Sequence, residues 1–217
     1  MSRTEVSTMY QPPQFCSTDP HHARTLIQAH PLACLVSTDD AGFPVVSHLP
    51  LHLQEDGGVQ VLLGHCARAN PHWRYLAARP EALATFMGPS AYLSPSVYPD
   101  LARVPSWNYL AVHCRVEARI IDEANGKDAL LKALIAQHEP TYAAQWRALD
   151  EDYTSKMLRA IVAFELRVLD LQCTLKLNQH RPESHAALHA AYRAGGADAQ
   201  ALAQWMETLG MVPGHKD

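Results

Sequence analysis

Apolar and polar positions alternate with different periods along the chain, and each change of period marks an element. LACLVST at 32–38 reads as a mostly buried strand, opened after Pro31 and closed by the turn DDAG at 39–42. A second run, FPVVSHLPLHLQ at 43–54, ends at the turn EDGG, and VQVLLGH at 59–65 follows. Three strands joined by short turns predict a meander. In the second, Val45, Ser47, Leu49, Leu51 and Leu53 share one face, and Pro44, Val46, His48, Pro50 and His52 share the other. Proline cannot complete a central ladder, so this second face is expected to border a site or an edge.

Helical signals lie between the strands. Asp19-Pro20 is a cap and first-turn proline before HHARTLIQAH, and Asn70-Pro71 precedes a short helix carrying Trp73, Leu76 and Ala77. Leu130, Leu131, Leu134 and Ile135 give an amphipathic helix over 125–139. EALATFM at 81–87 and GPSAYLSPSVY at 88–98 predict two more strands, and WNYLAVHCRVEARII at 107–121 is the longest candidate. The stretch 155–177 begins helically and becomes the last strand near Ile161. An Ala-rich tail predicts two helices around Ala194-Gly195-Gly196. At least six strands joined mainly by turns predict a mainly β chain with peripheral helices (α+β), an antiparallel barrel. Residues 1–180 are expected to form it, with 181–217 a helical extension packing on the barrel or on a dimer partner.

Bulk properties narrow the function. The 217 residues suit one substantial domain with a real core. A formal net charge of −4 supplies no basic field for nucleic acid or an acidic membrane. No apolar run approaches bilayer length, and MSRTEVSTMYQPPQF lacks the apolar core of a signal peptide, so a cytoplasmic location is expected. The five cysteines are scattered, odd in number and without a CxxC pair, which predicts reduced, mostly buried thiols. Among 13 histidines, His48 and His52 would lie roughly 13 Å apart on a straight strand, too far to share a metal. His185 and His189 have helical i, i+4 spacing but no HExxH glutamate or third ligand; they are expected on an exposed helix face, and no metal is expected.

Several chemistries drop out. No GxGxxG, GxxxxGK[ST] or GxSxG motif is present. Cys66 and His65 are adjacent on an extended segment and point to opposite sides, which argues against an activated thiol. The last tail helix carries no Lys or Arg and two acids, Asp198 and Glu207. A packing or dimer-contact helix built on Leu202, Trp205 and Leu209 is therefore expected rather than a DNA-recognition helix. What remains is GHCARANPHW at 64–73, which presents His65, Arg68 and Asn70 at the mouth of a helix in an arrangement suited to an anion.

MYQPPQF at 9–15, SHLPL at 47–51, GHCARANPHW, GPSAYLSPSVY, VPSWNYLAVH at 104–113, VAFEL at 162–166 and KLNQHR at 176–181 occur in this order. Together they closely resemble the FMN-binding negative transcriptional regulators, the PaiB-like proteins. The resemblance implies a flavin-binding split β-barrel, similar to pyridoxamine phosphate oxidases and flavin reductases, and a homodimer with FMN at or near its interface. It implies a phosphate held by Arg68, Asn70 and the N–H groups after Pro71, with Lys176 and Gln179 as a second set that a partner subunit could supply. For the flavin ring it implies the strand segment His48-Leu49-Pro50, His65, an aromatic wall from Trp107 and an amide from Asn108; Trp73 is expected to be a packing anchor. Val97, Ser106, Asn178 and His180 stand where the family usually has Trp, Thr, Ser and Asn. No catalytic residue is singled out, although His48, His65 and His113 can donate protons near neutral pH. The alternatives are an FMN oxidoreductase with a small-molecule substrate and, from the histidines and haem-handling members of the same fold, a haem-binding protein. Direct DNA binding and membrane association are not expected.

Overall fold

The computed structural model describes residues 9–100 and 102–212. The strands are β1 (Cys16–Ser17), β2 (Leu32–Thr38), β3 (Pro44–Pro50), β4 (His52–Asp56), β5 (Val59–Ala67), β6 (Glu81–Leu93), β7 (Ser106–Ile121) and β8 (Ile161–Lys176). The helices are α1 (Pro20–Ala29), α2 (His72–Ala78), α3 (Ala124–His138), α4 (Ala143–Ala148), α5 (Glu151–Arg159), α6 (His185–Arg193) and α7 (Ala197–Thr208). Hydrogen bonding joins the strands of this antiparallel sheet in the order β3-β2-β6-β7-β8-β5-β4, with β1 on β8. The described residues divide into two compact units, one within 27–86 and 113–171, the other within 9–26, 87–112 and 172–212.

In the first unit the expected meander is replaced by two hairpins. The run 43–54 is two strands: β3 pairs antiparallel with β2, and β4 pairs antiparallel with β5. The alternation continues through the break, but Pro50 has no N–H to extend the ladder. Leu51 turns into the core, where it is fully buried, and its N–H donates to the Pro31 carbonyl (2.9 Å). Beyond the switch the faces no longer match, so His48 is exposed while His52 is buried.

On the inner face of the β2–β3 hairpin, Ala33 and Leu35 are fully buried and pair with Leu49 and Ser47. On the outer face, Leu32, Cys34, Val36 and Thr38 oppose Pro50, His48, Val46 and Pro44. The helix α3 covers Leu63 and Ala163 with Leu130 and Leu134, and Ile121 completes this cluster. Its apolar spacing is the one read from the sequence. The start of α5 is capped by Asp150, whose carboxylate accepts from the Tyr153 N–H (3.1 Å). Glu151 and Asp152 in its first turn, with Lys156 and Arg159 in its last, complement the helix dipole.

Gly64 sits where β5 crosses the core. A Cβ there would lie 2.5 Å from Leu51 Cδ2 and 2.9 Å from the Phe164 ring. Gly64→Ala is therefore expected to lower stability by about 1–3 kcal/mol through overpacking, read as a lower urea midpoint with an unchanged slope.

In the second unit, β1 pairs with the end of β8, and Gln11 Nε2 donates to the Cys173 carbonyl (2.6 Å) and Thr174 Oγ1 (3.0 Å). The two strands expected across 81–98 are one, β6, because Gly88 lets the chain pass closely beside Leu26 and Leu110 without a break. The tail helices bury Leu188, Tyr192, Leu202 and Met206, and the Trp205 ring meets His22 edge-on. His185 and His189 do not form an exposed face. His185 is buried against the Asn178 carbonyl (3.1 Å), and His189 pairs with Glu207 (2.6 Å), because α6 packs on the turn after β8 and on α7. Among the described residues, no group of three or more His, Cys, Asp or Glu could hold a metal, and no helix is long and apolar enough to cross a membrane.

Candidate functional site

The loop between β5 and α2 is built by its own polar groups. Asn70 Oδ1 accepts from the His72 N–H (3.0 Å), and Asn70 Nδ2 donates to Ser47 Oγ on β3 (3.0 Å). His72 is 1% exposed and shares its i+4 neighbour Leu76's buried face. Its Nδ1 lies 2.9 Å from Ser47 Oγ and its Nε2 2.8 Å from Ser37 Oγ on β2. Burial lowers its pKa, which keeps the ring neutral. Sequence reasoning missed His72; the signal for it was the four-residue spacing to Leu76.

Arg68 is engaged within the chain. Its guanidinium forks onto Asp122, and also donates to the Arg159 carbonyl (2.8 Å) and the Ile161 carbonyl (3.2 Å). Lys127 Nζ meets the same carboxylate at 3.1 Å. The hydrogen bonds from Arg68 hold Asp122 below the usual carboxylate range. Trp73 Nε1 donates to the Arg68 carbonyl (3.1 Å), and the Arg68 and Arg74 guanidinium groups stand 5.8 and 5.3 Å from the centre of its ring. Burial pushes the Cys66 thiol up to about 11, so it stays protonated and weakly nucleophilic at neutral pH.

Of the other residues expected in this unit, His48 and Pro50 are exposed on the outer face of β3, and Leu49 is half-buried on the opposite face. His65 is half-buried with its Nδ1 enclosed and without a hydrogen-bond partner, and desolvation lowers its pKa. A second histidine cluster, not anticipated, lies at the end of α3. His138 Nε2 is 3.0 Å from both ring nitrogens of His52, with ring centroids 4.3 Å apart and planes at 75°. His52 is 2% exposed, and burial, then His138, then His65 lower its pKa to about 4.

The remaining four expected residues belong to the other unit. Successive β7 residues alternate: Trp107 is 54% exposed and meets Tyr92 edge-on (6.1 Å), whereas Asn108 is fully buried. The Asn108 amide neighbours the Tyr192 hydroxyl, which burial pushes up to about 12. Lys176 Nζ donates to Ser106 Oγ (3.1 Å) and stands 5.6 Å from the centre of the Tyr109 ring. Gln179 is spent on its own turn, accepting from the Leu177 N–H (3.0 Å) and donating to the Leu175 carbonyl. Asn178 adopts the left-handed region (φ 69°), which asparagine tolerates better than most residues. Its side chain accepts from the Tyr98 hydroxyl (3.2 Å) and donates to Ser184 Oγ (2.8 Å).

An ammonium and a hydroxyl beside exposed and half-buried aromatic rings suit a planar ligand with an anionic tail. Residues 9–170 match the protein family described as "Putative FMN-binding domain". The chain belongs to this FMN-binding family. Over 181 residues it is 33% identical to Protease synthase and sporulation protein PAI 2 of Bacillus subtilis, covering 81% of this chain and 84% of that protein. The FAD and heme binding protein of Mycobacterium smegmatis shares its fold with a TM-score of 0.58 at 23% identity, covering 74% of this chain and 73% of that one. The flavocytochrome Anf3 of Azotobacter vinelandii does so with a TM-score of 0.57 at 17% identity, over 74% and 69%.

The fold of this FMN-binding family member is thus the flavin-binding split barrel, and FMN is the cofactor. The donor set fits that group. A doubly negative phosphate asks for a cation and hydroxyls, present in Lys176 and Ser106; a flat ring asks for aromatic or apolar surface and unspent polar groups at its edge. In the same unit as Lys176, Trp107 and Tyr92 offer such surface. When bound, FMN supplies one- and two-electron transfer; the chain's residues bind, orient and enclose it. Lys176 lies beyond the family match, so its assignment rests on the KLNQHR motif and on its geometry.

Proposed function

We propose that the protein is a flavin-dependent regulator, a homodimer that holds FMN and lowers the expression of target genes. The Lys176–Ser106–Tyr109 grouping, with Trp107 alongside in sequence, carries the flavin part of this reading. Lys176 and Ser106 hold the phosphate, and Trp107 and Tyr92 flank the ring; His48, Leu49, Pro50, His65 and Asn70 are further proposed cofactor contacts. Arg68 acts through the loop it anchors.

The outer face of the β2–β3 hairpin supports the homodimer. Leu32 is 64% and Val46 50% exposed, and they continue through Cys34, Val36 and Pro50 into one apolar surface with few charges. A second copy is the partner that would cover it. His48 and Pro50 stand on this face, in keeping with a cofactor near the interface. Regulation through a metabolite or protein partner fits the chain better than direct DNA contact: its net charge is −4 and α7 lacks any Lys or Arg.

The test is a flavin titration of the purified protein by fluorescence quenching, with sedimentation on the same sample. One FMN per chain in a dimer is the expected result; folded protein that retains no FMN at micromolar concentration overturns the reading. A gel shift at fixed salt is expected to show no sequence-specific binding. Sustained NAD(P)H-driven turnover would move the protein to the oxidoreductases.

A further inference from the structure

Ser37, Ser47, Asn70 and His72 form a closed polar cluster beneath the segment proposed to meet the flavin. Neutral imidazole has one N–H and one lone pair, and the two serine hydroxyls can rotate to satisfy either tautomer. One ring therefore bonds β2 through Ser37 and β3 through Ser47, while its backbone N–H is held by Asn70. Asn70 closes the circuit on Ser47. Ser37, Ser47 and His72 are all buried, where an unpaired hydroxyl costs about 1–3 kcal/mol. Such a cluster tolerates little displacement of its members.

We propose that His72 is a positioning residue for FMN: through Nδ1 and Ser47 it fixes where His48, Leu49 and Pro50 stand relative to the 68–71 loop. This rests on the placement of FMN contacts at 48–50 given above. Ser47 immediately precedes those residues; Asn70 Nδ2 donates to its hydroxyl, while Asn70 Oδ1 accepts from the His72 N–H. Binding groups must be held to within about 0.5 Å to act together. Cutting the Nδ1 link leaves Asn70 Nδ2, among the described residues, as the one remaining side-chain tie between Ser47 and the loop and loosens β3 against it, whereas cutting the Ser37 link leaves both ties in place.

The two ring nitrogens allow the links to be separated. His72→Asn carries an amide near the Nδ1 position and keeps a partner for Ser47; His72→Gln carries one near Nε2 and keeps a partner for Ser37. Each is measured by FMN fluorescence titration and by amide hydrogen exchange over 45–50 in flavin-free protein. Both variants are expected to unfold at lower temperature than wild type. His72→Asn should bind FMN within threefold of wild type. His72→Gln should bind at least tenfold more weakly and exchange faster at 47–50. Ser47→Ala is expected to behave as His72→Gln, and serves in its place if that variant does not fold.

Equal loss of affinity in His72→Asn and His72→Gln overturns the proposal, as does near-wild-type binding by His72→Gln or Ser47→Ala. Faster exchange with unchanged FMN affinity also overturns it, leaving His72 a structural residue only. Wild-type protein that binds no FMN sinks the flavin reading itself, and this inference with it; a failure confined to the variants sinks this inference alone.

Discussion

Lys176→Ala is expected to weaken FMN binding about ten- to hundredfold while leaving the fold intact. A charge-assisted hydrogen bond contributes about 1.5–3 kcal/mol, and each 1.4 kcal/mol is a factor of ten in affinity. The internal partners of the Lys176 ammonium are the Ser106 hydroxyl and the Tyr109 face, both at a half-buried surface. Its removal therefore leaves no buried charge unpaired. Arg68→Ala should behave differently. It dissolves a joint between the end of β5, the start of α3 and the junction of α5 with β8, costing about 1 kcal/mol of stability at this partly exposed site. Its effect on flavin affinity should be smaller than that of Lys176→Ala. The decisive comparison is a fluorescence titration of both variants beside their thermal unfolding. A larger flavin loss from Arg68→Ala would put the phosphate at the 64–73 loop instead.

Acidification is expected to destabilise the protein well before its carboxylates are protonated. His52 has a folded-state pKa of about 4 against an ordinary 6.5. Between these values the unfolded chain binds a proton that the folded chain refuses, so stability falls as pH drops from about 6.5 to about 4 and levels off below. The gap corresponds to about 3 kcal/mol. His72 and His65, both lowered by burial, act in the same direction. Asp122 and Asp128, held low by their cationic partners, lose their contributions only at lower pH. Urea unfolding at pH 7.5 and 4.5 measures the slope, and His52→Gln should flatten it. An unchanged pH dependence in His52→Gln would assign the acid sensitivity to other groups.

What could be read from the sequence was what short range decides. The helix α3 and the long strand β7 follow from residue spacing alone, and the DDAG and EDGG turns separate the strands where expected. The partner switch at Leu51 could not be read there, because strand alternation runs through it undisturbed and the choice of ladder depends on β5 and Pro31. Gly88-Pro89 looked like punctuation, yet close packing on Leu26 and Leu110 carries the strand through.

The site shows the same division. The residue types for an anionic, planar cofactor were visible, but their partners were not. Arg68 is claimed by Asp122, 54 residues away, and Gln179 by the two ends of its own turn. Asn108 and Trp107 are neighbours in sequence and face opposite ways, one buried and one exposed. His72 drew no reading from the sequence, because its serine partners on β2 and β3 lie 35 and 25 residues upstream.

The prolines that bracket β3 bear on how many copies can associate. Among the described residues this strand pairs with β2 alone, so its outer rim would invite a further strand. Proline within a paired strand sits where its missing N–H would face away from the partner. Pro44, Val46, His48 and Pro50 have the same parity, so two of the four donors along that rim are absent. Sheet extension from one molecule to the next, which has no natural end, is discouraged. If the proposed homodimer forms through the flat outer face, it closes at two copies, whereas extension along the rim would not.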